Sequence, residues 1–154
     1  MLLKAAGGYN GLTYSGEGEV FPENPILPSD PEGKARVRTM SYMIAYDIHP
    51  IINLKVQQYL VDEFGATDED KLKWYAHWVK LGFTNFDNIL HNKETGKFSH
   101  GDEPSMADIC LYAQMFNAKR FNCDVTPYKK INEICARLDD VEAFAMARPE
   151  NQPH

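Results

Sequence analysis

No apolar run in the chain approaches the roughly 20 residues that a membrane-spanning helix needs. Cysteine is sparse: Cys110, Cys123 and Cys135 are the three thiols, an odd number with no Cys-x-x-Cys spacing. A structural zinc site wants about four ligands at tight spacing, and no His-Glu-x-x-His motif occurs, so no metal site is expected. Buried free thiols in a reduced, cytoplasmic setting are the expectation instead. There is no excess of positive charge either. The 16 Lys and Arg residues face 22 Asp and Glu, a formal net charge of -6 at pH 7. That balance argues against nucleic acid or an anionic membrane as partner. The opening MLLKAAGGYNG carries one lysine and too short an apolar stretch to read as a signal peptide. What remains is 154 residues, 44% of them hydrophobic and 25% charged, enough for one domain with a sizeable core.

Glycine is unevenly spread. "GGYNGLTYSGEGEVFPENP" holds five glycines and two prolines, so residues 1–25 are expected to be a loose head. No convincing strand follows it. Ser29 or Asp30 can cap a first helix with Pro31 at its first position. Val37, Met40, Ile44, Ile48 and Ile51 then recur in steps of three and four. Pro50 should kink that helix near Tyr46–His49, because it lacks an N–H and crowds the preceding turn. The pattern resumes through Val56, Tyr59 and Leu60 and stops at Gly65. Thr67 opens a second helix whose face runs Leu72, Tyr75, Val79, Phe83, Phe86, Leu90. Gly82 within it marks a local weakness or a close helix contact. Ser105 and Asp108 suggest a capping box, and the following helix is apolar on nearly every side to Phe116, which makes it central. Thr126 and Pro127 predict a fourth helix, and "VEAFAMA" a short fifth. The fold class expected is all-α, a bundle of about five helices.

"ILPSDPEGKARVR", "DIHPIINLKV", "GDEPSMADICLYAQMFNAKRF", "VTPY" and "AFAMARPENQP" resemble the C-terminal half of the maleylacetoacetate isomerases, the zeta class of glutathione transferases. The resemblance assigns residues 26–154 to a glutathione transferase C-terminal helical domain. It implies glutathione as cofactor, a small dicarboxylate as substrate and cis–trans isomerisation in aromatic amino acid catabolism. The family's thioredoxin-like N-terminal domain, with its serine-serine-cysteine motif, has no counterpart in residues 1–25. The expectation is therefore a substrate-side half that is inactive alone and prone to irregular self-association. The alternative is a noncatalytic helical interaction module.

By the same resemblance, Arg120 is the arginine that meets a substrate carboxylate. Its planar guanidinium suits that task, although a cation closing a helix end against unpaired carbonyls is the plainer role. Lys119 beside it is expected to face solvent. His49, Asn53 and Lys55, at or after the Pro50 break, are expected to line the glutathione site, or else to be polar residues at an irregular turn. Trp74, Tyr75 and Trp78 read as core or interface aromatics. No residue is expected to act as a covalent catalyst.

Overall fold

The computed structural model describes residues 25–152. The predicted loose head falls in residues 1–25, so all of it but Pro25 lies outside the described residues. Helix α1 (Pro31–Tyr42) begins as its sequence dictates: Asp30 caps it, its carboxylate accepting from the Gly33 amide at 2.7 Å, and Pro31 takes the first position. Asp30 in turn is held below the usual carboxylate range, chiefly by that amide. The predicted kink has a definite form. The chain passes from α1 into a π-helical stretch, Met43–Ile48, and the His49 amide bonds back five residues to the Ile44 carbonyl at 2.9 Å. Pro50 cannot continue any helical ladder. The chain turns, Asn53 caps a new helix, and α2 (Leu54–Phe64) runs to Gly65 at φ +65°. One predicted helix is thus two, and the described residues hold six α-helices rather than five.

Helix α3 (Asp68–Leu90) opens on a capping box in which Thr67 and Asp70 exchange hydrogen bonds. Helix α4 (Met106–Arg120) opens on a buried carboxylate. Asp108 accepts from the Ser99 amide and from both the amide and hydroxyl of Ser105, at 2.7–2.8 Å. Helix α5 (Lys129–Asp139) starts later than predicted. The Thr126 hydroxyl donates to Asp124 at 2.6 Å instead of capping a helix, and Asp87 of α3 accepts from the Ile131 amide in its place. A short α6 (Glu142–Met146) and a 3₁₀ turn, Pro149–Asn151, complete the described chain.

Helix α4 is the centre. Met106, Ala107, Ile109, Leu111, Met115 and Ala118 are buried, packed with Val37 and Met40 of α1, Val79, Phe83 and Phe86 of α3, and Ile131, Ile134 and Leu138 of α5. Each large apolar side chain so buried stabilises the fold by about 1.5–3 kcal/mol. The apolar face of α3 is buried as its spacing predicts, except Leu72, which is half exposed. Gly82 is a close contact: a methyl group there would lie 2.2 Å from Cδ1 of Ile48. The absent side chain lets the π-helical stretch seat against α3. Helix α2 meets its pattern only in part: Val56 and Leu60 are half-buried and Tyr59 is exposed. Gln57 is its one buried residue, while Leu54, Tyr59 and Phe64 stand 77%, 58% and 72% exposed. Among the described residues no β-strand forms and no helix is long and apolar enough to cross a membrane.

At the far end, a clasp secures the chain after α6. Arg148 donates to the Tyr112 hydroxyl at 3.1 Å and to Asp139 at 2.5 Å, and Tyr112 donates to the same Asp139 oxygen. Burial raises the Asp139 carboxyl, but the Tyr112 and Arg148 hydrogen bonds and the Arg148 charge outweigh it, and the net shift is downward.

Candidate functional site

Arg120 is the last residue of α4, exposed at the end of a helix that is otherwise largely buried. Its Cζ lies 5.9 Å from the centre of the Phe121 ring. Phe121 in turn stacks on Tyr75 of α3, ring centres 4.2 Å apart and 25° from parallel. Tyr75 is 2% exposed, and burial pushes its hydroxyl up to about 12. The guanidinium therefore rests at the edge of an aromatic pair whose inner ring is fixed in the core. No carboxylate among the described residues pairs with Arg120, whereas Arg148 is paired to Asp139 and Arg137 to Glu133. Lys119 is also exposed, and its charge acts on Cys135 and Asp139 of α5. The two adjacent cations serve different neighbourhoods, Arg120 the side of α3 and Lys119 the side of α5.

His49 ends the π-helical stretch and is exposed. A single π-helical turn is uncommon and concentrates at functional sites; here it puts His49 out of register with the α1 face that precedes it. Asn53 has a structural task beyond any ligand: its side-chain oxygen accepts from the Lys55 amide at 2.8 Å and so caps α2. Lys55 is exposed in the first turn of α2. His49 and Asn53 lie in one short connection, and Lys55 follows it in α2. Arg120 lies on a separate element, and one turn of α3 touches both. Trp74 Nε1 donates to the Ile51 carbonyl at 3.0 Å, while Tyr75 holds Phe121.

Read from the sequence, Trp74 and Tyr75 are core or interface aromatics; Tyr75 is buried and Trp74 half-buried. That Trp74 reaches Ile51 and Tyr75 reaches Phe121 carries no local signature, because both partners are distant in the chain. A cleft of about 300 Å³ between the π-helical stretch and α3 is lined by Tyr46, Asp47, Trp78 and Asn85 among others. None of His49, Asn53, Lys55 or Arg120 lines it. The thiols offer no nucleophile: burial pushes Cys110 and Cys135 up to about 12 and raises Cys123 as well.

Residues 52–145 match the family described as glutathione S-transferase, C-terminal domain. The chain belongs to that family. A probable maleylacetoacetate isomerase of Vibrio cholerae is 39% identical over 135 residues, which are 88% of this chain and 62% of that protein. A holo maleylpyruvate isomerase, described as a bacterial zeta-class glutathione transferase, superposes with a TM-score of 0.88 at 35% identity, over 90% of this chain and 66% of that one. A maleylacetoacetate isomerase of Methylobacterium extorquens, solved with malonate and glutathione bound, gives a TM-score of 0.85 at 27% identity. It covers 98% of this chain and 77% of that one. These relatives agree with the zeta-class resemblance carried by the motifs. The chain spans less than two thirds of the length of the Vibrio protein.

Proposed function

We propose that this chain is the helical, substrate-side part of a glutathione-dependent isomerase acting on a cis dicarboxylate such as maleylacetoacetate. One observation carries the reading: Arg120 presents an exposed guanidinium, set against Phe121 and without a carboxylate partner among the described residues. A guanidinium stays charged and offers a planar fork that pairs both oxygens of a carboxylate. In this reading Arg120 takes a substrate carboxylate. His49, Asn53 and Lys55 approach glutathione from either side of the Pro50 break, Asn53 while also capping α2. Glutathione supplies the chemistry when bound: its thiolate adds to the conjugated alkene, rotation follows about the resulting single bond, and the thiolate leaves. Burial pushes the Cys110 and Cys135 thiols of this chain up to about 12 and raises Cys123, so none of the three is favoured in that part. The malonate and glutathione bound in the Methylobacterium isomerase support both ligand classes. A cytoplasmic setting belongs to the same proposal.

The test is glutathione-dependent isomerisation measured on the 154-residue chain, on its fusion to a zeta-type thioredoxin-like domain, and on that fusion carrying Arg120→Ala or Lys119→Ala. The unaided chain should not turn over, since the donors that lower a thiol pKa in this family lie on the thioredoxin-like side. The fusion should be active. Arg120→Ala should lower kcat/KM by roughly 30-fold or more, the lower end of losing one partner of a desolvated charge pair, and Lys119→Ala by less than about twofold. Equal losses would return Arg120 to the role of helix cap. Turnover by the chain alone would overturn the claim that it needs a second domain.

One observation favours a second reading, a noncatalytic interaction module: the exposed Leu54, Tyr59 and Phe64 on α2. Exposed apolar side chains gathered on one short helix promote association. On either reading light scattering should show irregular oligomers that Leu54→Glu disperses, and a clean symmetric dimer would refute irregular self-association.

A further inference from the structure

We infer that Trp74 and Tyr75 are positioning residues, one turn of α3 that sets the turn bearing His49 and Asn53 at a fixed separation from Arg120. The inference rests on the proposed reading of those residues as two sides of one site. Consecutive residues of a helix point about 100° apart, so a single turn can hold two neighbours on different sides. On one side, Trp74 Nε1 donates to the Ile51 carbonyl at 3.0 Å. Ile51 lies between Pro50 and the α2 cap, where the Ile51 and Ile52 amides both turn back to the Ile48 carbonyl and the Ile51 carbonyl takes its bond from outside. On the other side, Tyr75 stacks on Phe121, the residue that closes α4 and directly follows Arg120.

The Trp74 bond is not a default of this helix. One turn further on, the indole N–H of Trp78 is buried without a partner among the described residues. The two contacts also differ in kind. A directed hydrogen bond holds the irregular turn, and a stacked ring pair, buried on the Tyr75 side, holds the cation's platform. Thiol addition to a dicarboxylate needs the thiol and the carboxylate anchor at one separation. Misplacement of about 1 Å in such a site can cost on the order of 100-fold in rate. A rigid link between the two sides is the physical device for preventing it.

The experiment uses the full chain, labelled with ¹⁵N, and reads two signals without ligand: amide hydrogen exchange at Ile51–Asn53 and the Arg120 Nε–H resonance, assigned by its loss in Arg120→Ala. Trp74→Phe keeps an aromatic ring and removes the donor. It should speed exchange at Ile51–Asn53 by about tenfold, the change a lost hydrogen bond allows, and should also move the Arg120 resonance. Tyr75→Leu should move that resonance and speed exchange at Ile51–Asn53 in return. Tyr75→Phe, which retains the ring, should leave both signals unchanged, a rescue that a simple need for the hydroxyl would not give. Should Tyr75→Leu fail to fold, Phe121→Leu makes the same test from a less buried position. Effects confined in each variant to its own side would overturn the inference. Titration with malonate separates the two claims. If the Arg120→Ala chain shows the same malonate-induced shifts as wild type, the substrate reading fails while the link can stand. If Arg120 alone accounts for those shifts but the cross-effects are absent, only the link fails.

Discussion

The two ends of α4 are built for opposite purposes. At the N-terminal end, Asp108 is fully buried and receives three hydrogen bonds, from Ser99 and Ser105. Arg36 lies near enough for the Asp108 charge to act on it, and donates to the Ser99 carbonyl at 2.6 Å. At the C-terminal end, Lys119 and Arg120 are exposed, and Arg120 has no internal ion-pair partner among the described residues. One helix therefore carries a charge whose satisfaction is internal and a charge whose satisfaction is left to something outside. The first kind specifies a fold. The second is where a ligand can act, since a buried charge that is already paired has nothing left to offer.

The largest effect expected is at the sealed end. Asp108→Ala leaves buried amide donors of Ser99 and Ser105 unpaired and should destabilise the chain by on the order of 3–5 kcal/mol, measured by urea unfolding. A loss below about 1 kcal/mol would mean that water replaces the carboxylate and that this end is less closed than its geometry. Next comes the contact that seats the π-helical stretch. Gly82→Ala gains helix propensity but drives a methyl into Ile48, which is 1% exposed. Overpacking should win, for a net loss of about 1–2 kcal/mol, and Ile48→Val in the same chain should recover part of it. A stabilised Gly82→Ala variant would show that the π-helical stretch and α3 can part without cost.

The clasp after α6 is weaker and depends on pH. The Asp139 carboxyl sits below its unfolded value near 3.8, because hydrogen bonds from Tyr112 and Arg148 outweigh burial. A depressed carboxyl contributes stability that is fully present above the unfolded pKa and is lost as pH falls through the folded one. Thermal stability should therefore decline below about pH 4 in part through this group. Asp139→Asn should flatten that decline and lower the midpoint slightly at pH 7. An acid limb identical in the two proteins would remove the clasp from the account.

Local rules made much of this legible in the sequence. Asp30 with Pro31, Thr67, Gly65, and the Ser105–Asp108 pair each act within a few residues, and each stands where its chemistry predicted. The failures are of another kind. Thr126 has the right hydroxyl for a cap, but Asp124 takes it, and the acceptor for α5 arrives from Asp87, 44 residues earlier in the chain. The π-helical stretch depends on Ile48 finding Gly82 across the fold, which periodicity does not encode. Of the spacing read on α2, Val56 and Leu60 are only half-buried and Tyr59 is exposed, because amphipathic spacing says that a face wants cover without saying that cover is at hand. The candidate site divides in the same way. Arg120 and the His49–Lys55 turn were visible as motifs, but the Trp74–Tyr75 turn that reaches Ile51 and Phe121 was visible only as core or interface.

The smallest effect expected in the free protein is at the open end of α4, and it sharpens the comparison most. Arg120 has no internal ion pair among the described residues, and its one ring contact is with the neighbouring Phe121, at 5.9 Å. Exposed cation–ring contacts contribute about 0.5–1 kcal/mol, and a cation near a helix C-terminus a similar or smaller amount. Arg120→Ala should thus cost no more than about 1 kcal/mol in urea unfolding, and Lys119→Ala about 0.5 kcal/mol or less. Against the loss expected at Asp108, both are minor. The two variants should separate only when an anion is added: malonate should shift resonances around Phe121 and Asn122 in the Lys119→Ala chain and not in the Arg120→Ala chain. If Arg120→Ala unfolds the chain as readily as Asp108→Ala, the cation is a structural cap, both ends of the helix serve the fold, and the substrate reading loses the observation that carries it.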